Sequence, residues 1–129
     1  MPFLRFDLIE GRSDEDLKIL LDATHAAMLE AFDVPPEDRY QVVHVHKQSQ
    51  MIIQDTGLEI PRTKNVVMLQ ITTRPRSWTM KETFYRLLVQ RLAASCGIAG
   101  SDIIVNFVTN TDEDWSFGLG RAQFLTGEL

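Results

Sequence analysis

Apolar and polar positions along the chain switch between two periods in a repeating order. Leu4, Phe6 and Leu8 alternate with polar neighbours, as in a half-buried strand. Residues 10–12 then turn the chain. Ser13, with Asp16 three residues on, forms an N-cap for a helix in which Leu17, Leu20, Leu21, Thr24, Ala27, Met28 and Ala31 recur at helical spacing up to about Phe32. Two prolines within residues 33–38 stop that helix. Residues 40–46 predict a second strand, which resumes after a break at residues 51–53, and residues 56–63 predict a loop. Residues 66–71 form a nearly unbroken apolar, β-branched run, the pattern of a strand buried on both faces. Ser77 caps a second helix over residues 79–96, with Met80, Phe84, Leu87, Leu88 and Leu92 on one face. Gly97 ends it, and residues 103–108 predict its partner strand. The tail over residues 111–129 reads as a hairpin or folded arm, because Gly118 and Gly120 disfavour a helix.

The two halves repeat at an offset of 64 residues. Arg12 matches Arg76, Ser13 matches Ser77 and Asp38 matches Asp102, while Phe3, Leu20, Ala23, Met28, Val34 and Val43 match Val67, Phe84, Leu87, Leu92, Ile98 and Phe107. The repeat marks a duplicated β-α-β unit, over about residues 2–46 and 66–110, in one domain spanning residues 1–129. The expected fold is α/β (α+β), a mixed four-stranded sheet with two helices on one face and a C-terminal arm or hairpin. Each unit pairs its own strands in parallel across a helical crossover. With the first strand of each unit at the centre, those two run antiparallel and Pro2 falls near Arg74. Two helices cover one face only, so the other face predicts a homo-oligomer.

Composition narrows the function. A net charge of −5, with thirteen Lys and Arg dispersed along 129 residues, argues against a nucleic-acid surface. No run approaches membrane-spanning length and no secretory signal is visible, so no membrane partner is expected and the default compartment is the cytoplasm. Cys96 is alone and reads as a small buried hydrophobe. His44 and His46 share a strand face without a third ligand at familiar spacing, and Gly118-Leu119-Gly120 lacks the setting of a dinucleotide loop, so neither a metal site nor a dinucleotide is expected.

The chemistry concentrates at two places. Residues 66–76 carry a strand into Arg74-Pro75-Arg76, where extended backbone puts both arginines on one side. Paired guanidinium forks suit a small carboxylate, although two arginines at a strand end can equally be solvated surface. Pro2 follows the initiator methionine, and removal of Met1 would leave a secondary amine that titrates within reach of neutral pH. Retention of Met1 would make the Pro2 nitrogen an amide that cannot act.

An N-terminal proline on a duplicated β-α-β chain, with Arg74-Pro75-Arg76 closing the second unit's first strand, resembles the tautomerase superfamily. Within it, the chain is most similar to the malonate semialdehyde decarboxylases. The likeness spans the chain, through residues 6–12, 38–41, 74–76 and 112–129. It implies a homotrimer that uses no metal or organic cofactor. It also implies that Pro2, Asp38, Arg74 and Arg76 are the functional polar groups, and that Trp115, Phe117, Phe124 and Leu129 form an apolar pocket wall around a small carboxylate substrate.

Decarboxylation of a 3-oxo acid leaves an electron pair that must enter the neighbouring carbonyl, so the site needs positive charge at that oxygen. Protonated Pro2 can supply it. Arg74 and Arg76 lower the amine's proton affinity while Asp38 raises it, and a Schiff base at Pro2 is an alternative electron sink. Tautomerisation or hydration of a 2-oxo or unsaturated acid would instead use a neutral Pro2. A non-enzymatic trimer binding a carboxylate would need no free amine. Asp38 can also be read as a turn residue, and the aromatic residues of the tail as packing.

Overall fold

The computed structural model describes residues 1–129. Strand β1 (Phe3–Ile9) leads into helix α1 (Asp14–Phe32) and strand β2 (Tyr40–His46). Strand β3 (Val67–Thr73), helix α2 (Trp78–Cys96) and strand β4 (Ile103–Thr109) repeat the unit, and a single helical turn, α3 (Gln123–Thr126), lies in the arm. The sheet order is β2-β1-β3-β4. Within each unit the strands pair in parallel, and the central pair β1 and β3 is antiparallel, with Phe3 opposite Thr72. The predicted mixed sheet with helices on one face is the observed fold.

Both helices are 19 residues long, begin behind serine caps, and start 64 positions apart. The Ser13 hydroxyl accepts the Asp16 N–H at 3.1 Å and the Ser77 hydroxyl the Met80 N–H at 3.2 Å, satisfying one orphan donor in each first turn. Gly97 ends α2 in the left-handed region, at φ 64°. Asp33, which ends α1 at φ 50°, does the same without glycine's freedom. The helices seal Leu4, Phe6, Leu8, Val67, Leu69 and Ile71 against the sheet, and Phe32 stacks on Phe84 at 5.6 Å.

Four expectations need correction. Residues 51–53 form no strand; a 3-10 turn, Gln48–Gln50, follows β2 instead. Strand β3 is buried on one face only: Val67, Leu69, Ile71 and Thr73 are sealed, while Gln70 is exposed and Met68 and Thr72 are half-buried. The run alternates once Gln70 and Thr72 are weighed, so the second face of the sheet is open in the single chain. Phe3 does not match Val67, because Leu4, Phe6 and Leu8 share the core with Val67, Leu69 and Ile71. The central strands therefore repeat on an odd offset while the helices repeat on 64. Met80, expected on the apolar face of α2, is 37% exposed. Of the two forms considered for the tail, the arm is the one observed. It carries a 3-10 turn, Asp112–Asp114, and α3, but no strand.

Candidate active site

Strand register brings distant residues to one end of the sheet. The antiparallel pairing of Phe3 with Thr72, continued outward, sets the first two residues beside Thr73 and Arg74. The parallel pairing of Phe3 with Tyr40 sets them beside Asp38 and Arg39. Strand β4 runs parallel to β3, so its exit at Thr109 carries the following acidic turn alongside the arginines. Met1 and Pro2 are both buried there.

The arginines are held differently. Arg74 Nη1 donates to Asp112 Oδ1 at 2.9 Å, and its guanidinium carbon lies 3.9 Å from the centre of the Phe124 ring. Arg74 Nε is buried with no hydrogen-bond partner in the chain, so the fork keeps unspent donor capacity. Arg76 Nε donates to Thr73 Oγ1 at 3.2 Å, and its guanidinium carbon stands 5.2 Å from the Phe32 ring. Thr73 is itself fully buried, which fixes the acceptor. Arg39, next to Asp38 in sequence, is turned away and pairs with Asp22 at 2.7 Å.

The electrostatics follow from this crowding. The Met1 amine is lowered from its ordinary 8.0 to about 6, first by burial, then by Arg76 and Arg74, against the opposing pull of Asp38 and Asp112. Burial raises Asp38 above the ordinary carboxylate value, and the amine and both arginines draw it back. Burial, then the charge of Arg74, lowers Arg76. Two cations, one carboxylate and the chain's amine thus sense one another directly.

The arm supplies an aromatic wall on one side. Trp115 stacks on Phe117 at 5.3 Å, Phe117 meets Phe124 edge-on at 5.3 Å, and Tyr40 lies 5.9 Å from Phe117. Trp115 Nε1 donates to Asn110 Oδ1 at 2.8 Å, and the buried Gln123 amide ties the arm by accepting the Phe117 N–H and donating to the Gly118 carbonyl, both at 2.9 Å. Leu129 is 60% exposed, held through its backbone N–H to the Gln123 carbonyl. Pro2, Asp38, Arg74, Arg76 and the aromatic residues are thus gathered at one end, with Leu129 at its open edge. Asp112, Thr73, Phe32 and Tyr40 escaped the sequence reading. Asp112 was within reach of it, since an acid just past β4 must fall beside arginines just past β3 in a parallel pair.

None of the three main cavities of the single chain is lined by Pro2, Asp38, Arg74 or Arg76, and the most enclosed one lies at the other end of the sheet. The convergence of charge, rather than enclosure, marks this end as the candidate site. No cluster of His, Cys, Asp and Glu could hold a metal. No helix is long and apolar enough to cross a membrane.

Comparison with known proteins bears on the family and the fold. Residues 2–60 and residues 38–118 each match a family described as tautomerase enzyme. A probable tautomerase of Bacillus subtilis, YrdN, is 59% identical over 129 residues, the whole of both chains. Among solved structures, malonate semialdehyde decarboxylase, determined as wild type, proline-to-alanine mutant and inactivated enzyme and described with decarboxylase and hydratase activities, superposes with a TM-score of 0.97. It is 52% identical, with 98% of each chain covered. A fused 4-OT in a symmetric trimer shares the fold at a TM-score of 0.79 and 17% identity, over 97% of this chain and 98% of its own. The chain belongs to the tautomerase superfamily, and its structural likeness to malonate semialdehyde decarboxylase extends over nearly its whole length.

Proposed function

We propose that the protein is a cofactor-independent decarboxylase of a small 3-oxo acid, malonate semialdehyde in the first instance, acting in the cytoplasm as a homotrimer. The observation that carries this reading is the meeting of the chain's amine, Arg74, Arg76 and Asp38 at one end of the sheet. The likeness to malonate semialdehyde decarboxylase supports the choice of reaction. The open second face of the sheet and the trimeric neighbour support the assembly.

Removal of Met1 is required, because it frees the Pro2 nitrogen and clears the space that the buried Met1 side chain fills. The substrate carboxylate lies against the guanidinium forks, with the bond to be broken turned out of the carbonyl plane, where it overlaps the π system. As that bond breaks, its electron pair passes into the carbonyl to form an enolate, carbon dioxide leaves, and protonated Pro2 stabilises the oxyanion. Protonation at carbon then gives acetaldehyde. A bound carboxylate offsets the arginines that disfavour a cationic amine, so substrate raises the Pro2 pKa from its value in the empty site. The aromatic wall of Trp115, Phe117 and Phe124, with Leu129 at the edge, favours loss of charged carboxylate as neutral carbon dioxide.

One observation favours a second reading. Burial and the two arginines lower the Met1 amine at this end, and the same surroundings push the Pro2 amine freed by loss of Met1 towards its neutral form, fit to act as a base or to activate water. Tautomerase or hydratase chemistry on a 2-oxo or unsaturated acid fits that state. Intact mass followed by carbon dioxide release from malonate semialdehyde tests the main reading: methionine absent, release present, and release cut on the order of a hundredfold in Arg76→Ala. Methionine absent with no release would sink the decarboxylase and leave the second reading. The pH profile is a further discriminator, since an acid Pro2 loses activity as pH rises through its pKa and a basic one gains.

A further inference from the structure

The duplication builds a second, image-related end. There β1 finishes and β3 begins, and a cavity of about 340 Å³ opens between them and the helices. Its lining includes Arg12, Lys64, Asn65, Cys96, Glu10 and Asp16. The helix offset of 64 turns Arg76 into Arg12 and Phe32 into Cys96, so the Arg76 and Phe32 contact of the first end reappears as Arg12 beside Cys96. Lys64 stands just before β3, as the amine-bearing residues stand just before β1.

Arg12 is the notable group. It is half-buried, and burial is the chief cause that lowers its pKa. One of its N–H groups is spent on the Asn65 carbonyl, from Nη2 at 2.6 Å. No carboxylate reaches ion-pair distance of it, although six other lysines and arginines in the chain have such partners. Lys64 is likewise unpaired. Glu10 and Asp16 share the lining without closing on either cation. A half-buried guanidinium with free donors in a cavity at the lower end of the roughly 300–1,000 Å³ range of ligand sites is an arrangement awaiting an anion.

We propose that this cavity is a second binding site, for a small oxyanion held by Arg12 and Lys64. It lacks a second arginine, the N-terminal amine and an aromatic wall, so it binds without catalysing. Carboxylate and phosphate share the required chemistry.

Cys96 provides the readout, because it lines the cavity and is the chain's single cysteine. An anion on Arg12 would block the thiol and cancel the positive field that favours its thiolate, and both effects slow alkylation. Iodoacetamide modification of the full-length protein is followed by mass at constant ionic strength, with acetate, inorganic phosphate or chloride. The expected result is a saturable slowing by acetate or phosphate and not by chloride, about tenfold at ten times the Kd. The anion that protects identifies the ligand class. Protection should vanish in Arg12→Met, weaken in the surface variant Lys64→Ala, and persist in Arg76→Ala, which separates this site from the one at the other end. No slowing by either oxyanion overturns the proposal. So does slowing that is unchanged in Lys64→Ala, a variant that removes only an exposed side chain and so reports even where Arg12→Met does not fold.

Discussion

Replacing Arg76 by glutamine probes the electrostatics of the candidate active site directly. The N-terminal amine is held at about 6 against an ordinary 8.0, with burial the largest cause, Arg76 second and Arg74 third. Arg76→Gln removes the larger cationic contribution and leaves burial and Arg74 in place, so the amine must rise above 6 and stay below 8.0. A difference of this size corresponds to ~2.7 kcal/mol between protonation states. Solvent screening at this open end of the sheet leaves roughly 1 kcal/mol of that as stability. The folded chain binds this proton more weakly than the unfolded chain, so stability falls as pH drops from 8.0 towards 6, and the penalty is complete below 6. Arg76→Gln should flatten that slope. The assay is the pH dependence of amine modification by a neutral acylating reagent, on protein that intact mass shows to retain Met1, whose amine these values describe. An inflection that stays where it is in Arg76→Gln, or moves down, would refute the account.

Asp112→Asn should move the same inflection the opposite way, below about 6, since Asp112 raises the amine. Its exposed ion pair with Arg74 should cost no more than about 1 kcal/mol in urea unfolding, so a larger loss would show that Asp112 holds the fold itself. Phe84→Ala removes a fully buried ring stacked on Phe32 and should cost about 3–5 kcal/mol in the same assay, by lost transfer energy and the cavity left behind. A loss under about 1 kcal/mol would mean that the helices do not pack as described.

The fold was legible because its signals are local and repeated. Ser13 and Ser77 mark the helix starts, Gly97 marks an end, and the 64-residue offset orders the sheet before any contact is known. The arrangement of the site was legible through register, since antiparallel central strands place Arg74 beside the chain start. What escaped depends on weak periodicity or on tertiary context. Residues 51–53 have the composition of a strand but no neighbour to pair with, because the edge of β2 ends at His46. The alternation in β3 was hidden by Met68, an apolar residue on the open face. Asp112 lies in a turn whose importance comes only from the parallel exit of β4.

Duplication explains why the two ends of the sheet differ, and Asp38 and Asp102 report the difference. Both precede the outer strand of a unit. A chain has one N-terminus, so only the first unit can bring a free amine to that position. In the second unit the polypeptide continues, and Thr63 fills the place by donating its N–H to Asp102 Oδ1 at 2.7 Å and its hydroxyl to Oδ2. Asp102 is 2% exposed and satisfied by these bonds. Asp38 is half-buried, makes no side-chain hydrogen bond, and faces the amine and the arginines instead. Asp102→Ala takes the acceptor from two donors of Thr63 and should cost roughly 2–6 kcal/mol, at about 1–3 kcal/mol for each of these part-buried hydrogen bonds. Asp38→Ala breaks no such bond, so its unfolding free energy should change by less than about 1 kcal/mol, while the amine pKa falls because a carboxylate that raises it is gone. Equal destabilisation by the two substitutions would mean that both aspartates serve the fold. The assignment of Asp38 to chemistry would then lose its physical basis.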